Sequence, residues 1–209
     1  MKDGLALIDF GAGNLHSVEN ALKKAGAERI MVTSDPEVVR QAERVVLPGV
    51  GAFGSCAKAL RGIPGMIDAM EEAVLEGGVP FLGICVGMQL LATRGIEFGV
   101  HKGLDWIPGE VREIEITDPA IKVPHMGWND VCHLPHHDGA SLIDEGEAYF
   151  LHSFHYVADN GRDIAAITDH GGAITAAVAR DNLLGVQFHP EKSQAYGIDL
   201  LSRFLDWKP

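Results

Sequence analysis

Cysteine is scarce in this 209-residue chain. There are three, Cys56, Cys85 and Cys132, odd in number, far apart and without a CxxC pair. That excludes a disulfide framework and fits a reducing, cytoplasmic setting. Basic residues are also few, 17 Lys and Arg against 29 Asp and Glu, for a formal net charge of -12 at pH 7. A surface that tracks phosphates is excluded with them, and with it a nucleic-acid partner. No apolar run is long enough to cross a bilayer. The longest, residues 79–92, is broken by Gly83, Gly87 and Gln89, so no membrane partner is expected and the chain reads as soluble. The opening MKDGLALIDF enters a strand-like run without the layout of a signal peptide. No GxxxxGK[ST] phosphate loop, internal repeat or low-complexity segment occurs.

What is present is an ordinary globular balance, 46% hydrophobic and 22% charged, enough for one domain over residues 1–209 with a substantial core. Residues 5–9 are continuously apolar until Asp9, the pattern of a strand covered on both faces. A glycine turn follows, then a helix with apolar positions at Leu15, Val18, Ala21, Leu22 and Ala25, stopped by Gly26. Further strands are expected at 29–33, at 44–47 (halted by Pro48-Gly49) and at 79–84, with helices at 66–75 and 86–93. This alternation implies a mostly parallel central sheet flanked by helices, an α/β fold. The second half reads as an antiparallel sheet region, with strands near 111–117, 131–134, 149–151, 164–168, 174–179 and 183–188. A last helix is expected over 194–205.

Within FLGICVGMQLL, residues 81–91, Gly83 and Gly87 stand two residues either side of Cys85, where a strand passes into a helix. One reading is a buried structural cysteine among packing glycines. The other is a nucleophile elbow, a cramped turn whose flanking residues must lack bulk. Such a turn presents the thiol at the carboxyl edge of the sheet, at a helix N-terminus that favours the thiolate and offers N–H groups to an oxyanion. A thiol nucleophile needs a base. Strand 183–188 ends in His189-Pro190-Glu191. In extended chain, residues i and i+2 project to the same side, and Pro190 favours that geometry at His189. An imidazole facing the thiol, with a carboxylate holding its other nitrogen, would result; a surface His-Pro-Glu turn is the plainer alternative. The order Cys85, His189, Glu191 is not that of α/β-hydrolases. After the third strand, Gly49-Val50-Gly51 is either a plain turn or a loop whose N–H groups join that of Val86 at an oxyanion.

Taken together, PGVGAFG, GICVGMQ and VQFHPEKS resemble the class I glutamine amidotransferases of the triad type. DFGAGNLHSV, KVPHMGWN and YFLHSF narrow the likeness to the glutaminase subunits of imidazole glycerol phosphate synthase, over nearly the whole chain. The resemblance implies a flavodoxin-like glutamine amidotransferase fold. Cys85 would attack the glutamine side-chain amide, with His189 moving the proton and Glu191 orienting His189. Gly49, Val50, Gly51 and Val86 would serve the oxyanion, and Gln89 the substrate. Ammonia would pass to a (β/α)8-barrel synthase subunit, the cyclase partner of a heterodimer in histidine biosynthesis, with Asn14, His125 and Trp128 facing that partner. No cofactor and no metal is implied. Two departures from the family pattern stand out: Ala52, where a larger polar residue or histidine is common, and residues 92–101, which lack an acidic run. Cys132, His133, His136, His137 and Asp138 cluster without metal-ligand spacing, and Pro135 and Gly139 suggest an exposed loop there.

Overall fold

The computed structural model describes residues 4–134 and 141–209. The continuous apolar runs become the middle of a nine-stranded sheet. β1 (Leu5–Ile8), β2 (Ile30–Thr33), β3 (Arg44–Gly49), β4 (Phe81–Cys85) and β13 (Leu183–Val186) are parallel, in the order β2-β1-β3-β4-β13. β1, β4 and β13 are buried at every residue, as double-sided coverage requires. From β13 the same sheet continues antiparallel through β12 (Ala173–Arg180), β11 (Ile164–Asp169), β8 (His125–His133) and β9 (Gly146–His152). The expected antiparallel strands therefore extend the parallel sheet. A separate four-stranded sheet, order β10-β7-β5-β6, is built from β5 (Arg94–Ile96), β6 (Val100–Lys102), β7 (Gly109–Glu113) and β10 (Phe154–Ala158).

The helices are α1 (Leu15–Lys24), α2 (Pro36–Arg40), α3 (Phe53–Arg61), α4 (Met66–Met70) continuing into a π-helical turn at Glu71–Glu76, α5 (Val86–Gln89) and α6 (Gln194–Asp206). α1 packs on α6, and α2 on α4. Among the described residues no helix is long and apolar enough to cross a membrane.

Three elements differ from the sequence reading. β3 runs through Pro48-Gly49 instead of halting before them. Its ladder with β1 ends at Val46, so Pro48 pairs only with β4, where a missing N–H is tolerated. α3 was not expected: it follows the glycine loop directly and buries Phe53, Cys56, Ala57 and Leu60. α5 is four residues long, not eight. The carbonyls of Leu90, Leu91 and Ala92 accept from the backbone N–H groups of residues 104–107, so the chain turns away from helix after Gln89.

Candidate active site

β3 and β4 end side by side, with Gly49 paired to Cys85 in the ladder. Cys85 has φ +54° and ψ -112°, a conformation an L-residue adopts only under strain. The glycines explain how the turn is possible. A Cβ on Gly83 would lie 2.6 Å from the Gly87 carbonyl oxygen, one on Gly87 1.8 Å from the Leu47 carbonyl oxygen, and one on Gly49 2.8 Å from the Gly87 nitrogen. Strand and helix meet backbone to backbone there, as an elbow demands. The thiol is thus held at the carboxyl end of the parallel strands. The shortness of α5 leaves its first N–H groups in place but gives a smaller dipole than a longer helix would.

His189 follows β13, one strand over. Its Nδ1 lies 2.9 Å from Glu191 Oε1, and both side chains are almost wholly buried. With Nδ1 engaged there, Nε2 is left for the thiol. Burial pushes the imidazole pKa down, but hydrogen bonds to Cys85 and Glu191, and their charges, outweigh it and raise the value to about 10. Glu191 also carries a buried oxygen, Oε2, with no hydrogen-bond partner among the described residues.

One cleft brings together Val50, Gly51, Cys85, Val86, Gln89 and His189. Gly49 flanks it in the ladder and Glu191 stands behind His189. The Val50 carbonyl accepts from the buried thiol of Cys56 at 3.4 Å, which fixes the Val50–Gly51 peptide; burial pushes that thiol up to about 11. Gln89 is 4% exposed, and its amide nitrogen donates to Gln187 Oε1 at 2.9 Å and to the Phe154 carbonyl at 3.2 Å. Both of its donors are used, so its amide oxygen is the group free to meet a ligand.

Among the cleft residues that the sequence reading missed are Glu97 and Lys192. Glu97 lines the cleft and accepts the Phe53 N–H at 2.6 Å, capping α3. It is the lone acid of residues 92–101, in the segment that lacks an acidic run. Lys192 also lines the cleft, with its ammonium 5.5 Å over the Tyr149 ring.

The three residues expected to face a partner lie differently. Asn14 precedes α1 and is half-buried, beside Gly13, which approaches the Pro48 ring. Trp128 is 46% exposed, edge-on to Tyr149. His125 is buried, stacked between Phe150 and His170, and the large apolar side chains that this strand exposes are its neighbours Met126 and Trp128. A hydrogen-bond chain runs through it: Asn129 Nδ2 to His125 Nε2 at 3.0 Å, His125 Nδ1 to His152 Nε2 at 3.0 Å, and His152 Nδ1 to the Phe154 carbonyl at 2.9 Å. Burial lowers the two imidazoles to about 4 and about 3. Around the cleft mouth stand Val50, Ile96, Phe98 and Leu151, all exposed apolar residues. Cys132 and His133 end β8; Pro135, His136, His137, Asp138 and Gly139 lie outside the described residues.

Comparison with known proteins gives the same picture. The family model "Glutamine amidotransferase class-I" matches residues 6–206. The imidazole glycerol phosphate synthase subunit HisH of Zymomonas mobilis is 59% identical over 98% of this chain and 96% of its own. The protein of the same name from Caulobacter vibrioides is 53% identical over 98% and 99%. Among solved structures, a glutamine amidotransferase aligns with a TM-score of 0.73 at 19% identity, over 97% of this chain and 98% of that one. PurLQS from Thermotoga maritima aligns at 0.71 and 18%, over 98% of each. These two likenesses establish the fold. An elbow, a buried imidazole–carboxylate pair and full-length relatives at this identity lead to one assignment: the chain belongs to the class I glutamine amidotransferases and, within them, to the family of imidazole glycerol phosphate synthase HisH subunits.

Proposed function

We propose that this chain is the glutaminase subunit of imidazole glycerol phosphate synthase, and that it hydrolyses glutamine through Cys85, His189 and Glu191 to supply ammonia for histidine biosynthesis. The observation that carries the reading is the strained Cys85 beside a buried His189–Glu191 pair in one cleft. The Cys85 Sγ attacks the side-chain amide carbon of glutamine. The negative charge on the amide oxygen is received by backbone N–H groups of Val86 and of the Gly49–Gly51 loop. His189, protonated, gives its proton to the departing nitrogen as the C–N bond breaks, leaving a γ-glutamyl thioester. Water then attacks the thioester with His189 taking its proton, the C–S bond breaks with sulfur leaving as thiolate beside the protonated His189, and glutamate is released. Glu191 holds the imidazole in the orientation both steps need. Glutamine also carries an ammonium and a carboxylate at its far end. Glu97 and Lys192 on the cleft wall match those charges, and the Gln89 amide oxygen offers a further acceptor.

The partner is a (β/α)8-barrel synthase subunit that receives the ammonia in a heterodimer. Support comes from the apolar rim of Val50, Ile96, Phe98 and Leu151 around the cleft, extended by exposed Met126, the ladder partner of Leu151, and by Trp128 two residues further along β8. Phe98 is 96% exposed, a cost a free surface does not need to carry and a partner would remove. The test is synthesis by the chain reconstituted with its barrel subunit. Cys85→Ala should abolish turnover with glutamine and leave turnover with added ammonium intact, while Trp128→Ala should weaken association or coupling. Glutamine-dependent synthesis by Cys85→Ala would overturn the mechanism.

A further inference from the structure

Gln187 has no exposed surface, and nothing in the mechanism above uses it. It lies between the end of β13 and His189, with its backbone N–H bonded to the Ala176 carbonyl at 2.8 Å. Its side-chain nitrogen lies 3.7 Å from Cys85 Sγ, within donor range of sulfur. Its oxygen accepts from Gln89 Nε2 at 2.9 Å, and Gln89 Nε2 in turn donates to the Phe154 carbonyl. The direction of this chain is settled at its far end. A backbone carbonyl only accepts, so the Gln89 nitrogen must face it, and the Gln187 oxygen must face that nitrogen. The Gln187 NH2 is left pointing at sulfur. The reversed amide would set nitrogen against nitrogen and oxygen against thiolate.

A fully buried amide in a strand-end position is costly where an apolar side chain of similar size would pack without polar atoms to satisfy. Its one contact with a reacting atom is Sγ. We propose that Gln187 is a positioning residue: it donates an N–H to the Cys85 sulfur, holds the thiolate in its attacking orientation, and is itself held by Gln89. The bond survives each change of charge on His189. Once that ring has passed its proton to the leaving nitrogen, Gln187 still gives the sulfur a donor. The other titratable groups facing the sulfur are His189, with Glu191 behind it, and the buried Cys56.

The proposal rests on Cys85 being the nucleophile, so its test reads the thiol separately from turnover. Alkylation of Cys85 by iodoacetamide, followed on the Cys85 peptide by mass spectrometry, is measured across pH for the wild-type chain, Gln187→Leu and Gln187→Glu. Loss of one donor to an anion should slow alkylation at neutral pH about tenfold in Gln187→Leu and move the acid limb of the profile upward. With the barrel subunit present, kcat for glutamine should fall by at least that factor, with KM unchanged in Gln187→Glu, which keeps the acceptor that holds Gln89. Gln187→Glu keeps the size and the acceptor for Gln89 but sets a carboxylate at sulfur, and should be slower still. It also serves if the leucine variant does not fold. Alkylation profiles unchanged in both variants would overturn the proposal, and so would a KM effect without a change in alkylation. Failure of the catalytic reading itself would show elsewhere, as glutamine-dependent activity in Cys85→Ala.

Discussion

Gly87→Ala tests the elbow most directly. The residue is not left-handed, so alanine suits its backbone angles and the added methyl is the only change. That methyl would lie 1.8 Å from the Leu47 carbonyl oxygen and 2.9 Å from its carbon, where real Cβ atoms come no closer than about 3.0 Å. Something must move by more than an ångström. Leu47 belongs to β3, is fully buried, and pairs with Gly83, so a shift there breaks the β3–β4 ladder. Moving α5 instead displaces Val86 and Cys85. Overpacking at a site that cannot relax costs about 3 kcal/mol. For a chain of this size that lowers the melting temperature by roughly 6–12 °C. If Cys85 is the nucleophile proposed above, a displacement of about 1 Å there costs on the order of 100-fold in turnover. Gly161→Ala is the control: its Cβ would meet open space and its φ is not left-handed, so stability should change by about 1 kcal/mol or less. The assays are thermal unfolding and glutamine-dependent synthesis with the partner synthase subunit. A Gly87→Ala chain with wild-type melting and turnover would refute the argument that backbone contact makes this glycine obligatory.

Two further outcomes follow from other parts of the fold. His125 and His152 have folded values of about 4 and about 3, below their usual 6.5. The unfolded chain therefore binds protons there first, so the stability these neutral rings carry is complete above pH 6.5 and is lost as pH falls towards 4. The melting temperature should fall less steeply over that window in His125→Phe; parallel wild-type and variant curves would contradict the assignment. Arg180 meets the buried carboxylate of Asp163 through two nitrogens, at 3.0 and 2.5 Å. Arg180→Ala leaves that carboxylate unpaired and should cost about 3 kcal/mol in denaturant unfolding, whereas a cost near zero would mean water replaces the guanidinium.

Much of this architecture was legible in the residues, and the exceptions have physical causes. β1, β4 and β13 announce themselves because a strand covered on both faces needs unbroken apolar sequence. α3 does not: Phe53, Cys56, Ala57 and Leu60 are spaced for a helix, but the glycine-rich loop before them and Gly54 among them read as turn. α5 seemed longer because Leu90, Leu91 and Ala92 continue an apolar helical run, and the segment that captures their carbonyls lies more than ten residues later. Local spacing offered Cys85, His189 and Glu191 only beside plainer readings; pairing the two motifs, and the resemblance to the amidotransferases, singled them out. Gln187 and Glu97 did not, because their significance lies in contacts across the sheet, to Gln89, Cys85 and the start of α3. His125 sits in a motif that reads as surface, yet β8 turns it inward against Phe150 while Met126 and Trp128 point out.

The imidazole chain behind the cleft also bears on chemical speciation. His152 lines the cleft, and its Nδ1 proton is committed to the Phe154 carbonyl. Its other nitrogen is filled by His125, whose second nitrogen is filled by Asn129. At neutral pH neither ring carries a spare proton. On the proposed mechanism, a small base set free at Cys85 therefore meets no acid in these two rings. Ammonia passing them would keep its lone pair and remain the nucleophile a synthase needs, where ammonium would be inert.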